Sequence, residues 1–154
     1  MHTPLTAYPP PTAHSWCLAI GPVTDFQGLG RLRHKVGALL HASDLAPDLV
    51  FDAELILTEL VSNAVKYGSA ARVVICFHAH SLNVDVWDDS RQVPRPMAPT
   101  NSEQRESGRG LDVVQALASR WGFELPHLHG KRVWFDLEVP PVTVEASRPS
   151  HPTS

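Results

Sequence analysis

A glutamate and an asparagine one helical turn apart, Glu59 and Asn63, stand in the otherwise apolar middle of a helical segment. Burying such groups unpaired costs about 2–7 kcal/mol each, so packing alone gives no reason for them. At about 100° per residue, with Glu59 at zero, Asn63 lies about 40° to one side and Lys66 about 20° to the other. The three form one polar stripe. Ala53, Leu57, Leu60 and Ala64 fall about 100–160° away and form a core face. A solvated face carrying Glu and Lys is the plain alternative, but Leu55 and Ile56 leave this helix apolar on most sides. The chemistry such a stripe can do is that of a metal-bound phosphate. Mg²⁺ takes hard oxygen ligands and leaves most of its sites to water and phosphate, so one carboxamide oxygen can suffice. A carboxylate one turn away can accept the proton of an attacking hydroxyl.

Two further segments carry suitable groups. Along Val84-Asp85-Val86-Trp87-Asp88-Asp89-Ser90, strand alternation puts Asp88 on the face of Val84 and Val86, with Asp89 pointing elsewhere. A carboxylate at that place can accept hydrogen bonds from a ligand, although an isolated Asp-Asp-Ser also simply ends strands. Gly108-Arg109-Gly110-Leu111 comes directly before an amphipathic stretch. A glycine pair lets backbone approach an anion, and a helix N-terminus offers free N–H groups. Neither the dinucleotide nor the P-loop pattern is present. Arg105 and Arg109 could reach a terminal phosphate or face solvent.

The elements that must position these groups follow from periodicity. Residues 15–20 read as a short strand closed by Gly21-Pro22, and 29–41 as a helix with Leu29, Leu32, Val36, Leu39 and Leu40 at helical spacing. A second helix starts at Pro47, runs to about Tyr67 and stops at Gly68. Residues 72–80 and 82–88 read as a strand pair. Residues 90–108 are polar, contain Pro94, Pro96 and Pro99, and read as a long loop of the kind that serves as a lid. A third helix is expected over 111–121, and a closing hairpin over 123–128 and 131–139 around His129-Gly130. This order predicts an α+β two-layer sandwich, with three helices on one face of a mixed, largely antiparallel sheet. Alternation puts Val73, Ile75, Phe77, Val84 and Val86 inward, and Val74, Cys76, His78, Trp87 and Trp134 outward. Val74, Cys76, Trp87 and Trp134 make the open face too apolar for free solvent, so a homodimer or partner contact is expected there unless the tails cover it.

With 154 residues, 43% hydrophobic and 19% charged, the chain has the balance of one soluble globular domain. Eight of its 14 prolines fall before residue 15 or after residue 139. Residues 1–14 and 142–154 are therefore expected to be flexible tails around a domain at 15–141. A net charge of -3 argues against direct nucleic-acid binding. Cys17 and Cys76 suggest neither a disulfide framework nor a metal site. With no secretory signal and no apolar run that spans a bilayer, a membrane location is not expected and the cytoplasm is. His78-Ala79-His80 and His127-Leu128-His129 lack acidic or Cys partners at zinc spacing, and no Gly-x-Ser-x-Gly elbow points to a hydrolase.

The three segments, in this order, resemble the ATP-binding domain of the GHKL (Bergerat) superfamily, and within it the small anti-sigma-factor serine/threonine kinases. The resemblance covers about residues 22–139 and includes Gly130-Lys131-Arg132-Val133-Trp134-Phe135, similar to the family's last strand pair. Lys131 stands where many members have Thr, Ser90-Arg91-Gln92 replaces a Gly-x-Gly of the wider superfamily, and Tyr67 stands where His is frequent. What the resemblance implies is a Bergerat fold that binds ATP and Mg²⁺, with Glu59 as general base, Asn63 as Mg²⁺ ligand and Asp88 as adenine anchor. Gly108 and Gly110 would cradle phosphate, with Lys66, Arg105, Arg109 and Leu111 also at the ATP site. The implied function is a protein kinase and anti-sigma factor in a partner switch, binding a sigma factor, phosphorylating an antagonist protein and tending to dimerise. The alternative is a nucleotide-binding module that sequesters a partner without phosphotransfer. Sensor histidine kinases, chaperones and mismatch-repair ATPases of this superfamily are not expected, since no phosphoacceptor helical domain is present and the chain is short.

Overall fold

Strand alternation and helical periodicity divide the chain, in order, into β1 (Trp16–Val23), α1 (Phe26–Ala42), α2 (Pro47–Lys66), β2 (Ala71–His78), β3 (Ser81–Asp88), α3 (Arg105–Leu117), β4 (Arg120–Glu124) and β5 (Lys131–Glu138). The structure, a computed structural model, describes residues 15–67, 70–78, 80–91, 105–126 and 130–140, and the backbone alone of 105–109. The two expected tails, Gly68, His127, His129 and most of the expected lid loop lie outside the described residues.

The strands form one sheet in the order β1-β2-β3-β5-β4, antiparallel at every pair, so among the described residues the parallel component that a mixed sheet allowed is not there. Val73, Ile75, Phe77, Val84 and Val86 are buried on the helix side, as alternation predicts. Over them lies α2, packed between α1 and α3 and touching β2, β3 and β5. Its buried face runs Val50, Ala53, Ile56, Leu57, Leu60, Val61 and Ala64, and Pro47 with Asp48 opens its first turn. Asp25 caps α1 by accepting from Gly28 N at 2.6 Å. At the far end of α1, Trp16 Nε1 donates to Ser43 Oγ at 2.9 Å and ties β1 to the helix.

Three boundaries differ clearly from expectation, and one of them is β4, which spans Arg120–Glu124 and not 123–128. The strand β1 continues past Gly21-Pro22, because pairing resumes at Val23↔Ala71 after a register shift. The helix α3 spans Arg105–Leu117, not 111–121. No proline separates Arg105 from Leu111, so two glycines at about 1 kcal/mol each do not stop the helix. At the other end the chain leaves the helix for the sheet edge, where Ser119 N donates to Asp136 O at 2.9 Å, and Arg120 and Trp121 enter β4.

The expectation that the cysteines stay unpaired is overturned: Cys17 and Cys76 form a disulfide. They face each other across the β1–β2 register with Cα atoms 4.1 Å apart. A separation of 59 residues gives no local spacing signature, so the sheet register alone reveals the pair. Closing a loop of this length should stabilise the domain by about 4 kcal/mol. Urea unfolding midpoints should fall on adding reductant. A Cys17→Ser, Cys76→Ser double variant should start at the lower midpoint and ignore reductant; a wild type equally indifferent would mean no bridge.

Away from the helices the open face is less apolar than expected. Cys76 is buried at the bridge, and the Trp87 ring has the Arg132 guanidinium 5.9 Å from its centroid. The Trp134 indole lies on Gly122, where a Cβ would sit 2.7 Å from Cζ2. Arg132 also bonds Asp85 at 2.7 Å and Glu124 at 3.2 Å, and Arg120 bonds Asp136 at 2.8 Å. A shallow groove of about 360 Å³ remains among Ala19, Gly21, Arg72, Val74 and Trp87. Burial pushes the Asp85 carboxyl above its ordinary value of 3.8 despite the Arg132 charge that opposes it. The native chain therefore holds this proton more tightly than the unfolded one. Its contribution is complete below pH 3.8 and is lost as pH rises through the raised value. Unfolding free energy relative to Asp85→Asn should thus fall as pH rises from 3.8 through the raised value. A rise over that range would show that Arg132 outweighs burial.

Candidate functional site

The middle of α2 serves two demands at once. Its core face is buried against the sheet, while Glu59 and Asn63 stand half-buried on the stripe turned toward α3, and Lys66 is exposed in the last turn. Tyr67, also exposed, closes the helix by donating its N–H to Asn63 O at 3.1 Å. Gly110 of α3 comes against the stripe. A Cβ on it would sit 3.1 Å from Asn63 Nδ2 and 3.2 Å from Glu59 Oε2. The missing side chain therefore leaves room for two polar groups beneath a helix backbone. Leu111 and Val114 are buried beside it and hold the contact.

This changes what the glycine segment does locally. Gly108 and Gly110 lie inside α3 and not ahead of it. The N–H groups without a helical partner belong to the first turn, which begins at Arg105. The side chains of Arg105 and Arg109 lie outside the described residues.

At the end of β3, Asp88 is the one buried charged residue among the described residues. Asp89 is exposed, as alternation predicts. Asp88 Oδ1 accepts from Ser90 N at 2.7 Å, and Oδ2 lies 3.5 Å from Lys131 Nζ. The Asp88 and Lys131 side chains are 4% and 12% exposed, so this ion pair is largely shielded from water. Gly130, at φ 74°, packs on the Asp88 carbonyl so closely that a Cβ would collide with it. Sequence reasoning registered Lys131 as a departure from Thr and assigned it no role. The available signal was alternation, which puts Lys131 on the inward face shared by Val133 and Phe135.

Among the described residues no group of three or more His, Cys, Asp or Glu could hold a metal ion. A site with one protein oxygen is a different matter. Asn63, half-buried beside space that a Cβ would fill, fits Mg²⁺ whose other ligands are phosphate and water.

A helix-covered antiparallel sheet with a polar stripe on its central helix and a buried carboxylate at a strand end describes a nucleotide-binding domain of the GHKL ATPase type. The chain belongs to the histidine kinase-like ATPase domain family, which matches residues 24–136, and ATP binding is what that membership implies. No curated protein matches the chain.

Gly110→Ala tests the stripe. The added methyl gains about 1 kcal/mol of helix propensity and loses a similar amount by pressing on Asn63 and Glu59, so stability should change little. ATP affinity should nonetheless fall, read by calorimetric titration beside a melting curve. Unchanged affinity at unchanged stability would mean the nucleotide does not need this gap.

Proposed function

We propose that the chain is an ATP- and Mg²⁺-dependent protein serine/threonine kinase that acts as an anti-sigma factor in a partner switch. The observation that carries this reading is the placement of Glu59 and Asn63 side by side beneath Gly110, in a member of the histidine kinase-like ATPase domain family. Asn63 would hold Mg²⁺ through its side-chain oxygen, and Mg²⁺ when bound screens phosphate charge during transfer. Glu59 takes the proton of the attacking Ser or Thr hydroxyl, whose oxygen bonds the terminal phosphorus as the bond to ADP breaks. Asp88 anchors the adenine amine. The first turn of α3, from Arg105 to Gly108, offers N–H groups to the phosphates, and Arg105, Arg109 and Lys66 at the end of α2 supply positive charge. The partners in this scheme are a sigma factor, an antagonist protein that is phosphorylated, and a second copy of the chain.

Incubation with labelled ATP, Mg²⁺ and a candidate antagonist tests the reading. Label should move to a Ser or Thr of the antagonist. Glu59→Gln should keep nucleotide affinity and lose transfer by about 100-fold or more, since a carboxamide cannot take the proton. Asn63→Ala should weaken Mg²⁺–ATP binding while α2 keeps its packing. Measurable ATP binding without any transfer would favour a module that sequesters its partner without phosphotransfer.

A further inference from the structure

Asp88 does not stand alone at its end of the sheet. It is the cross-strand partner of Lys131, so the ladder between β3 and β5 fixes their spacing. Gly130 adds a second restraint, because its backbone occupies the space against the Asp88 carbonyl that any side chain would need. The result is an ammonium donor and a carboxylate acceptor 3.5 Å apart, both turned to the helix-covered face. A shielded ion pair is weak grounds for stability, since apolar residues of similar volume often serve as well. It is a strong means of reading a ligand edge that carries one donor and one acceptor side by side.

Adenine carries such an edge: the exocyclic amine donates, and the adjacent ring nitrogen N1 accepts. We propose that Lys131 is a base-reading residue of the nucleotide site, donating to adenine N1 while Asp88 accepts from the amine. This rests on the ATP-binding reading and assigns that site a second specificity determinant. Guanine reverses the order, with O6 as acceptor and N1–H as donor. In the same pose it sets O6 against Asp88 and N1–H against Lys131, so both contacts oppose binding. A single carboxylate would reject guanine by one contact; the pair rejects it by two.

The test uses the full chain and 1-deaza-ATP, in which a C–H replaces N1 and the amine is kept. Wild type should bind 1-deaza-ATP about tenfold to a hundredfold more weakly than ATP, the range for a hydrogen bond to a charged group. Lys131→Met should bind ATP and 1-deaza-ATP equally. Should that variant fail to fold because Asp88 is left buried without its cation, Lys131→Gln keeps a donor and should show a smaller penalty than wild type. Equal binding of the two nucleotides by wild type, or a penalty that persists undiminished in the variants, overturns the role of Lys131 and leaves the ATP site standing. Wild type that binds no adenine nucleotide overturns the ATP reading itself, and this inference with it.

Discussion

The structure depends on one constraint: α2 must fill the centre of the core and also carry two polar groups on its middle turns. A helix in that position touches neighbours on nearly every side, so any polar residue on it competes with packing. The conflict is relieved by direction. Seven apolar positions face the sheet and α1, while Glu59 and Asn63 face α3. There the neighbour is Gly110, and a helix without a side chain at that point leaves the two polar ends uncrushed. The core on one side of α2 and the candidate site on the other are thus a single packing solution.

The strand end at Asp88 shows the same economy in electrostatic form. A buried carboxylate needs compensation, and it has a backbone N–H on one oxygen and an ammonium near the other. These partners come from opposite directions in sequence, Ser90 from the turn two residues on and Lys131 from the neighbouring strand. Gly130 lets the strands close tightly enough to hold them together. A shielded charge held this way is costly to build and well suited to recognition, which favours a role in binding over one in stability.

On the other face, the same sheet solves a different problem. Among the described residues no helix covers it, and the strands there are joined by side chains: the Cys17–Cys76 bridge ties the edge strand β1 to β2, and Arg132 links β5 to β3 and β4 through Asp85 and Glu124. Large apolar residues remain, but Trp87 and Trp134 are engaged by Arg132 and Gly122. The apolar cluster inferred from alternation was correct in direction. It overlooked that long polar side chains can lie across aromatic surface.

Periodicity and alternation depend on local sequence, and they were enough to give three helices on one face of a largely antiparallel sheet, the inward face of β2 and β3, the polar stripe of Glu59 and Asn63, and the inward aim of Asp88. Tertiary structure decided what depends on residues distant in the chain. It set the register that brings Cys17 to Cys76, the docking of α3 that makes Gly110 a spacer and moves the helix start to Arg105, and the pairing of Lys131 with Asp88. Single-strand alternation could give Lys131 its face but not its partner. A contact between two strands has no signature in either one, because it exists only once the ladder has fixed which residues stand opposite each other.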